Sequence, residues 1–212
     1  MKLEKILLLS ASAFILSTSC SIFNPAKMDE KEGVDKFVEA VTTKVDTEKY
    51  LIVSAEMEET DKLSNKAGSI VIDLIDKEGK PYIQTVSDDV NEVLEKPENE
   101  NKAVAAAKKK MKDKGLLKDD KAITKGVDAA SVKSDAVLAL IDKAKTMLPT
   151  GYSFKSTRSI KVLLDKEGNT VYEIGINVTE NGKATRKVGR TTYTDYYMLT
   201  YTVDKDGNME ME

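Results

Sequence analysis

The chain of 212 residues has no histidine, no tryptophan, one cysteine and four prolines. Each absence removes chemistry. Without an imidazole there is no proton shuttle for a Ser–His–Asp or Cys–His nucleophile. The usual His-containing zinc sites and the two-His iron triad fall with it. A single cysteine can close no disulfide within the chain and forms no Cys-rich metal site. S-x-x-K, the phosphate loop G-x-x-x-x-G-K-[ST] and G-x-G-x-x-G are missing as well. The lack of tryptophan removes the commonest sugar-stacking side chain, and nothing singles out a catalytic pair among the 36 acidic residues. These absences lead us to expect a non-enzymatic protein with no metal and no cofactor. A carboxylate-dependent envelope hydrolase is the remaining enzymatic alternative.

Long hydrophobic runs are also scarce. The longest, Ile6–Leu16, covers 11 residues, about half of what a membrane-spanning helix needs. Lys2 and Lys5 precede it and Ser17-Thr18-Ser19 follow, the three-part layout of a secretory signal. The segment ends at Cys20, the only cysteine. This ending resembles the lipobox of bacterial lipoproteins, the type II signal peptide. It is a relaxed form, with Ser17 where leucine is usual and Leu16 one place early. The resemblance covers residues 1–20, and no family is recognised for the rest. It implies that the Cys20 thiol receives a diacylglycerol, that the chain is cut just before it, and that the new amine is acylated with a palmitate-like chain. A plain secretory signal with a coincidental cysteine is the alternative. An unpaired thiol is a liability in an oxidising compartment, which favours lipidation. Two or three acyl chains, at ~0.8 kcal/mol per buried methylene, anchor firmly.

Removing residues 1–19 takes away two lysines and one glutamate, leaving 193 residues with a formal charge of −4. That mild acidity argues against nucleic acid as a partner. Residues 20–33 read as a polar tether between lipid and body. Residues 34–97 read as a first α+β half, 98–134 as a helical connecting segment, and 135–212 as a second α+β half.

Within the first half, Val34, Phe37, Val38, Val41 and Val45 have the spacing of an amphipathic helix over about 34–46. Tyr50–Met57 reads as a strand and 68–86 as a hairpin turning at 76–80. Val90, Val93 and Leu94 suggest a short helix over 88–96, with Asp88 as its cap and Pro97 as its end. The middle segment is rich in Lys and Ala, and Lys108, Lys109, Lys110, Lys112 and Lys114 make it locally basic. They form either a solvated helix face or a contact for anionic head groups.

In the second half, Val137, Leu140, Ile141, Ala144, Met147 and Leu148 mark a helix over 135–148 capped by Ser134. Strands follow over 160–164 and 172–178. Asn181-Gly182 suggests a tight type I′ hairpin, and a long last strand runs to Val203. D-K-[DE]-G-[KN] occurs at 76–80, 165–169 and 204–208. It marks either an internal duplication or one favoured turn used three times. Asp204–Asn208 also has a flavour of calcium ligation, although the same residues make an ordinary turn.

The sequence thus predicts an α+β body of antiparallel β-sheet with two amphipathic helices packed on it and a helical Lys/Ala-rich middle. In the last strand Tyr193, Tyr197 and Tyr201 share one face. Tyr196, Met198, Thr200 and Thr202 share the other, and Arg186, Lys187 and Arg190 precede them. These seven form the candidate binding surface, since Tyr offers contact area at low entropic cost. The expected function is protein binding or adhesion at the cell envelope, in the outer membrane or on the cell surface. The membrane is reached through Cys20. A periplasm-facing accessory or assembly factor for envelope machinery is the second reading.

Overall fold

The computed structural model describes residues 26–96 and 125–212, Lys166 excepted. Two helices, α1 (Lys31–Thr43) and α2 (Ser134–Thr146), pack on one antiparallel sheet. The expected α+β class is what the chain adopts. The strands are β1 (Tyr50–Glu59), β2 (Ala67–Asp76), β3 (Pro81–Val86), β4 (Asn91–Glu95), β5 (Tyr152–Leu164), β6 (Thr170–Glu180), β7 (Thr185–Val188), β8 (Thr191–Thr194), β9 (Tyr197–Val203) and β10 (Met209–Met211). Eight of them form a sheet in the order β10-β9-β6-β5-β1-β2-β3-β4, and β7 and β8 pair separately.

One face of the sheet meets both helices. Val34, Phe37, Ala40 and Val41 of α1 and Val137, Ile141 and Ala144 of α2 are buried. They join Ala55 and Met57, Ile70 and Ile72, Ile160 and Val162, Ile174 and Ile176, and Tyr201 and Val203 in one core. The period-2 alternation of each strand turns Glu56, Val71, Lys161, Glu173 and Thr202 to the far face, where they align across neighbouring strands.

The chain builds this sheet in two similar passes. α1-β1-β2-β3-β4 and α2-β5-β6-β9-β10 each place a helix before four antiparallel strands, and the passes join where β1 pairs with β5. They differ at one connection. β2 and β3 are linked by residues 77–80, whereas the corresponding link from β6 to β9 runs through 181–196 and contains β7 and β8.

The three D-K-[DE]-G-[KN] segments adopt the same turn. Asp76, Asp165 and Asp204 each accept from two backbone amides, two and four residues on, at 2.6–2.9 Å. Gly79, Gly168 and Gly207 supply positive φ of 83°, 76° and 80°. The turns join β2–β3, β5–β6 and β9–β10, which are not equivalent places in the two passes. Local geometry therefore accounts for their recurrence.

Several boundaries differ from expectation. Residues 26–33 of the expected 20–33 tether belong to the body: Ala26 and Met28 are buried, Met28 N donates to Asn65 O, and Ala26 O accepts from Ala67 N. Residues 91–95 form β4, not a helix, because pairing with β3 satisfies their backbone while Val93 and Leu94 stay exposed. Ser134 is the first residue of α2 and not its cap, since Lys133 holds that position with no side-chain capping bond. Asn181-Gly182 makes no type I′ turn, since only Gly182 has positive φ and β6 pairs with β9. The expected long last strand breaks at Asp195 and Tyr196. Val127 and Val132, from the expected connecting segment, are buried in the core. Cys20 and the lysines at 108–114 lie outside the described residues.

Candidate functional site

The seven candidate surface residues fall into two groups. Met198, Thr200 and Thr202 lie on the far face of β9, because Leu199, Tyr201 and Val203 point into the core. Met198 is 60% exposed, more than any other large apolar side chain described. Its cross-strand neighbour is Asn177, and Thr200 faces Gly175. Tyr196 precedes the strand and is half-buried. Tyr193 does not share a face with Tyr197 and Tyr201, since it belongs to β8.

Arg186 and Lys187 stand on β7, and Arg190 occupies the turn to β8. All residues of β7, β8 and their turn are exposed. The pair projects as an arm whose main packing is strand on strand. Its base is firm. Asn181 N donates to Gly151 O at 2.8 Å, Asp195 N to Ala184 O at 3.0 Å, and Tyr152 meets the Tyr197 ring edge-on at 5.4 Å. On the arm, Arg186 bonds Asp195 at 2.9 Å and lies over the Tyr193 ring at 5.1 Å. Residues 181–194 contain Lys183, Arg186, Lys187 and Arg190 and no acid. Lys183 pairs with Glu180, while Lys187 and Arg190 have no ion pair among the described residues.

A polar latch, which no periodic signal announced, fixes the start of the body. β1 and β5 separate beyond Glu58 and Ser159, and Asn65 fills the fork. Asn65 Oδ1 accepts from Thr157 N at 2.9 Å, its Nδ2 donates to Asp29, and its carbonyl accepts from Met28 N at 2.8 Å. Glu59 holds the same loop, accepting from Leu63 N, Asn65 N and Asn177 Nδ2. Leu63 and Asn65 both have positive φ, a conformation Asn tolerates and Leu resists. Lys145 closes the latch, 2.9 Å from Asp29 and 5.0 Å from the Phe154 ring centre. Burial pushes the Asp29 pKa up, but hydrogen bonds from Lys145 and Asn65 and the charge of Lys145 outweigh it. The carboxyl is held below its usual range.

The latch and the arm share one end of the sheet. Residues 26–28 bond at the β1–β2 connection, the end where β1 stops and β5 starts. Glu180 faces Tyr152, and Val178 faces Tyr197, so the arm leaves from that end too. The turns at 76–80, 165–169 and 204–208 occupy the opposite end.

A cleft of about 480 Å³ lies between α1 and the β2–β3 edge. Its Lys36 pairs with Asp88 at 2.7 Å and its Lys44 with Glu39 at 2.8 Å, which ties up those carboxylates. In the last turn Asp204 is committed to the amides of Asp206 and Asn208 and to the Asn208 side chain, which hold its pKa down. Among the described residues no group of three acidic side chains is arranged to hold a metal ion. No described helix is long and apolar enough to cross a membrane. No protein-family model, no curated protein and no solved structure matches the chain.

Proposed function

We propose that the protein is a lipid-anchored lipoprotein of the bacterial cell envelope that binds a protein partner without catalysing a reaction. The export signal and lone Cys20 support the anchor. The observation that carries the binding is Met198, an apolar side chain 60% exposed on the far face of β9 and followed by Thr200 and Thr202 on that face. A flexible thioether among hydroxyls suits a contact that forms and releases. Within the envelope, we favour the outer membrane or the cell surface as its location.

A photo-crosslinking side chain at 198 in whole cells tests this, with position 78 in the exposed β2–β3 turn as control. The expected result is a discrete adduct from 198 and none from 78. No adduct from 198, or the same adducts from both, refutes the site. Protease treatment of intact cells tests the location: a protected chain points to the periplasm-facing accessory reading instead.

A further inference from the structure

We propose that the β7–β8 arm docks on the anionic head groups of the membrane to which the protein is tethered, and so sets how the sheet stands on the bilayer. This rests on the lipid anchor at Cys20.

Three observations converge on the arm. It is an addition to the fold, standing where the first pass of the sheet needs only residues 77–80. An isolated two-stranded ribbon is marginal in water, so a retained arm with little packing of its own calls for a partner. Its charge opposes that of the body: four cations and no acid over 181–194, in a chain of net −3. Lys187 and Arg190 point their charge at no described carboxylate. Finally, its position matches the tether. It leaves the end of the sheet where Ala26 is bound.

The lengths agree. Six residue steps separate Cys20 from Ala26, a reach of at most ~20 Å. From Ala184 to Gly189 the arm extends about 17 Å. The two lengths are comparable, so an arm turned toward the surface can bring its cations within a Debye length, ~8 Å, of it. Val188 is 54% exposed and Tyr193 45% exposed. An apolar residue and a tyrosine beside cations suit the head-group layer. An acidic protein would meet the same charge, but nothing would then require the arm and the tether to share one end.

Hydrogen exchange of the full chain in vesicles tests this, comparing pure phosphatidylcholine with phosphatidylcholine plus phosphatidylglycerol. We expect slowed exchange over 184–195 on the anionic vesicles only, reversed by salt, with β4 unchanged. Each cation near such a surface favours contact by about fivefold, so Lys187→Gln with Arg190→Gln should weaken it roughly thirty-fold. Both positions are exposed, so the variant should fold like the parent. Equal exchange on the two vesicles overturns the proposal, as does protection that appears only when an acidic envelope protein is added. Fatty-acid labelling reads Cys20 separately. A lipidated chain with an unprotected arm overturns the arm alone, and an unlipidated chain overturns both.

Discussion

Replacing Asp29 by Asn tests whether residues 26–30 are locked to the rest of the body as the structure describes. The Asp29 side chain is 16% exposed and that of Lys145 25%, so their contact is well shielded from solvent. The change removes the charge but leaves an amide that can still meet Asn65. Lys145 keeps Asp142 at 3.3 Å and the Phe154 ring. The loss should therefore fall short of the ~3–5 kcal/mol of a stranded buried charge, at about 2 kcal/mol. For a domain of this size that lowers Tm by about 4–8 °C. The effect should depend on pH. The folded pKa of Asp29 lies below its ordinary 3.8, so the stabilisation is complete above 3.8 and is lost as pH falls through the folded value. Thermal melts of parent and Asp29→Asn should differ near neutral pH and converge in acid. Adding Lys145→Met should show a coupling of about 1–2 kcal/mol between the two positions. An equal gap at neutral and acid pH would refute the ion-pair reasoning. No gap at all would mean that residues 26–30 are not held as described.

Other parts of the fold give sharper, smaller tests. Met28 is fully buried, and Met28→Ala should cost ~2–5 kcal/mol in urea unfolding. Tyr201 is buried with its hydroxyl 3.2 Å from the Met147 carbonyl, so Tyr201→Phe should cost about 1 kcal/mol by the same assay. A Cβ on Gly175 would lie 2.4 Å from Ser159 Oγ; Gly175→Ala should cost ~1–3 kcal/mol, and Ser159→Ala should recover much of it. Replacing residues 184–195 by a short turn should leave Tm nearly unchanged, because the arm adds little to the core.

The sequence announced those elements whose burial repeats with a local period. Val34, Phe37 and Val41, and Val137, Ile141 and Ala144, gave both helices because one face of each is apolar. The D-K-[DE]-G-[KN] turns were legible because an Asp carboxylate and a positive-φ glycine act within five residues. β4 reads as helix from the sequence because Val90, Val93 and Leu94 have helical i, i+3, i+4 spacing and show no strand alternation, Val93 and Leu94 being adjacent. Pairing with β3, which no local pattern reveals, decided it. The first half of β5, with Ser153, Lys155 and Arg158, lacked an apolar alternation and was missed for that reason. The candidate surface was legible in part. Met198, Thr200 and Thr202 do share a face, but the break at Asp195-Tyr196 sends Arg186, Lys187 and Arg190 onto a separate arm. The latch was invisible, since Asp29, Asn65 and Lys145 are brought together only by the fold.

Cys20 carries the proposed lipid anchor, and the proposed roles of the short reach to Ala26 and of the arm depend on it. The mass of the N-terminal peptide of the protein isolated from membranes tests it most directly. The account predicts a chain that begins at Cys20 and carries a diacylglycerol on its thiol and an acyl chain on its amine. An unmodified Cys20, or a chain that begins elsewhere, would contradict it.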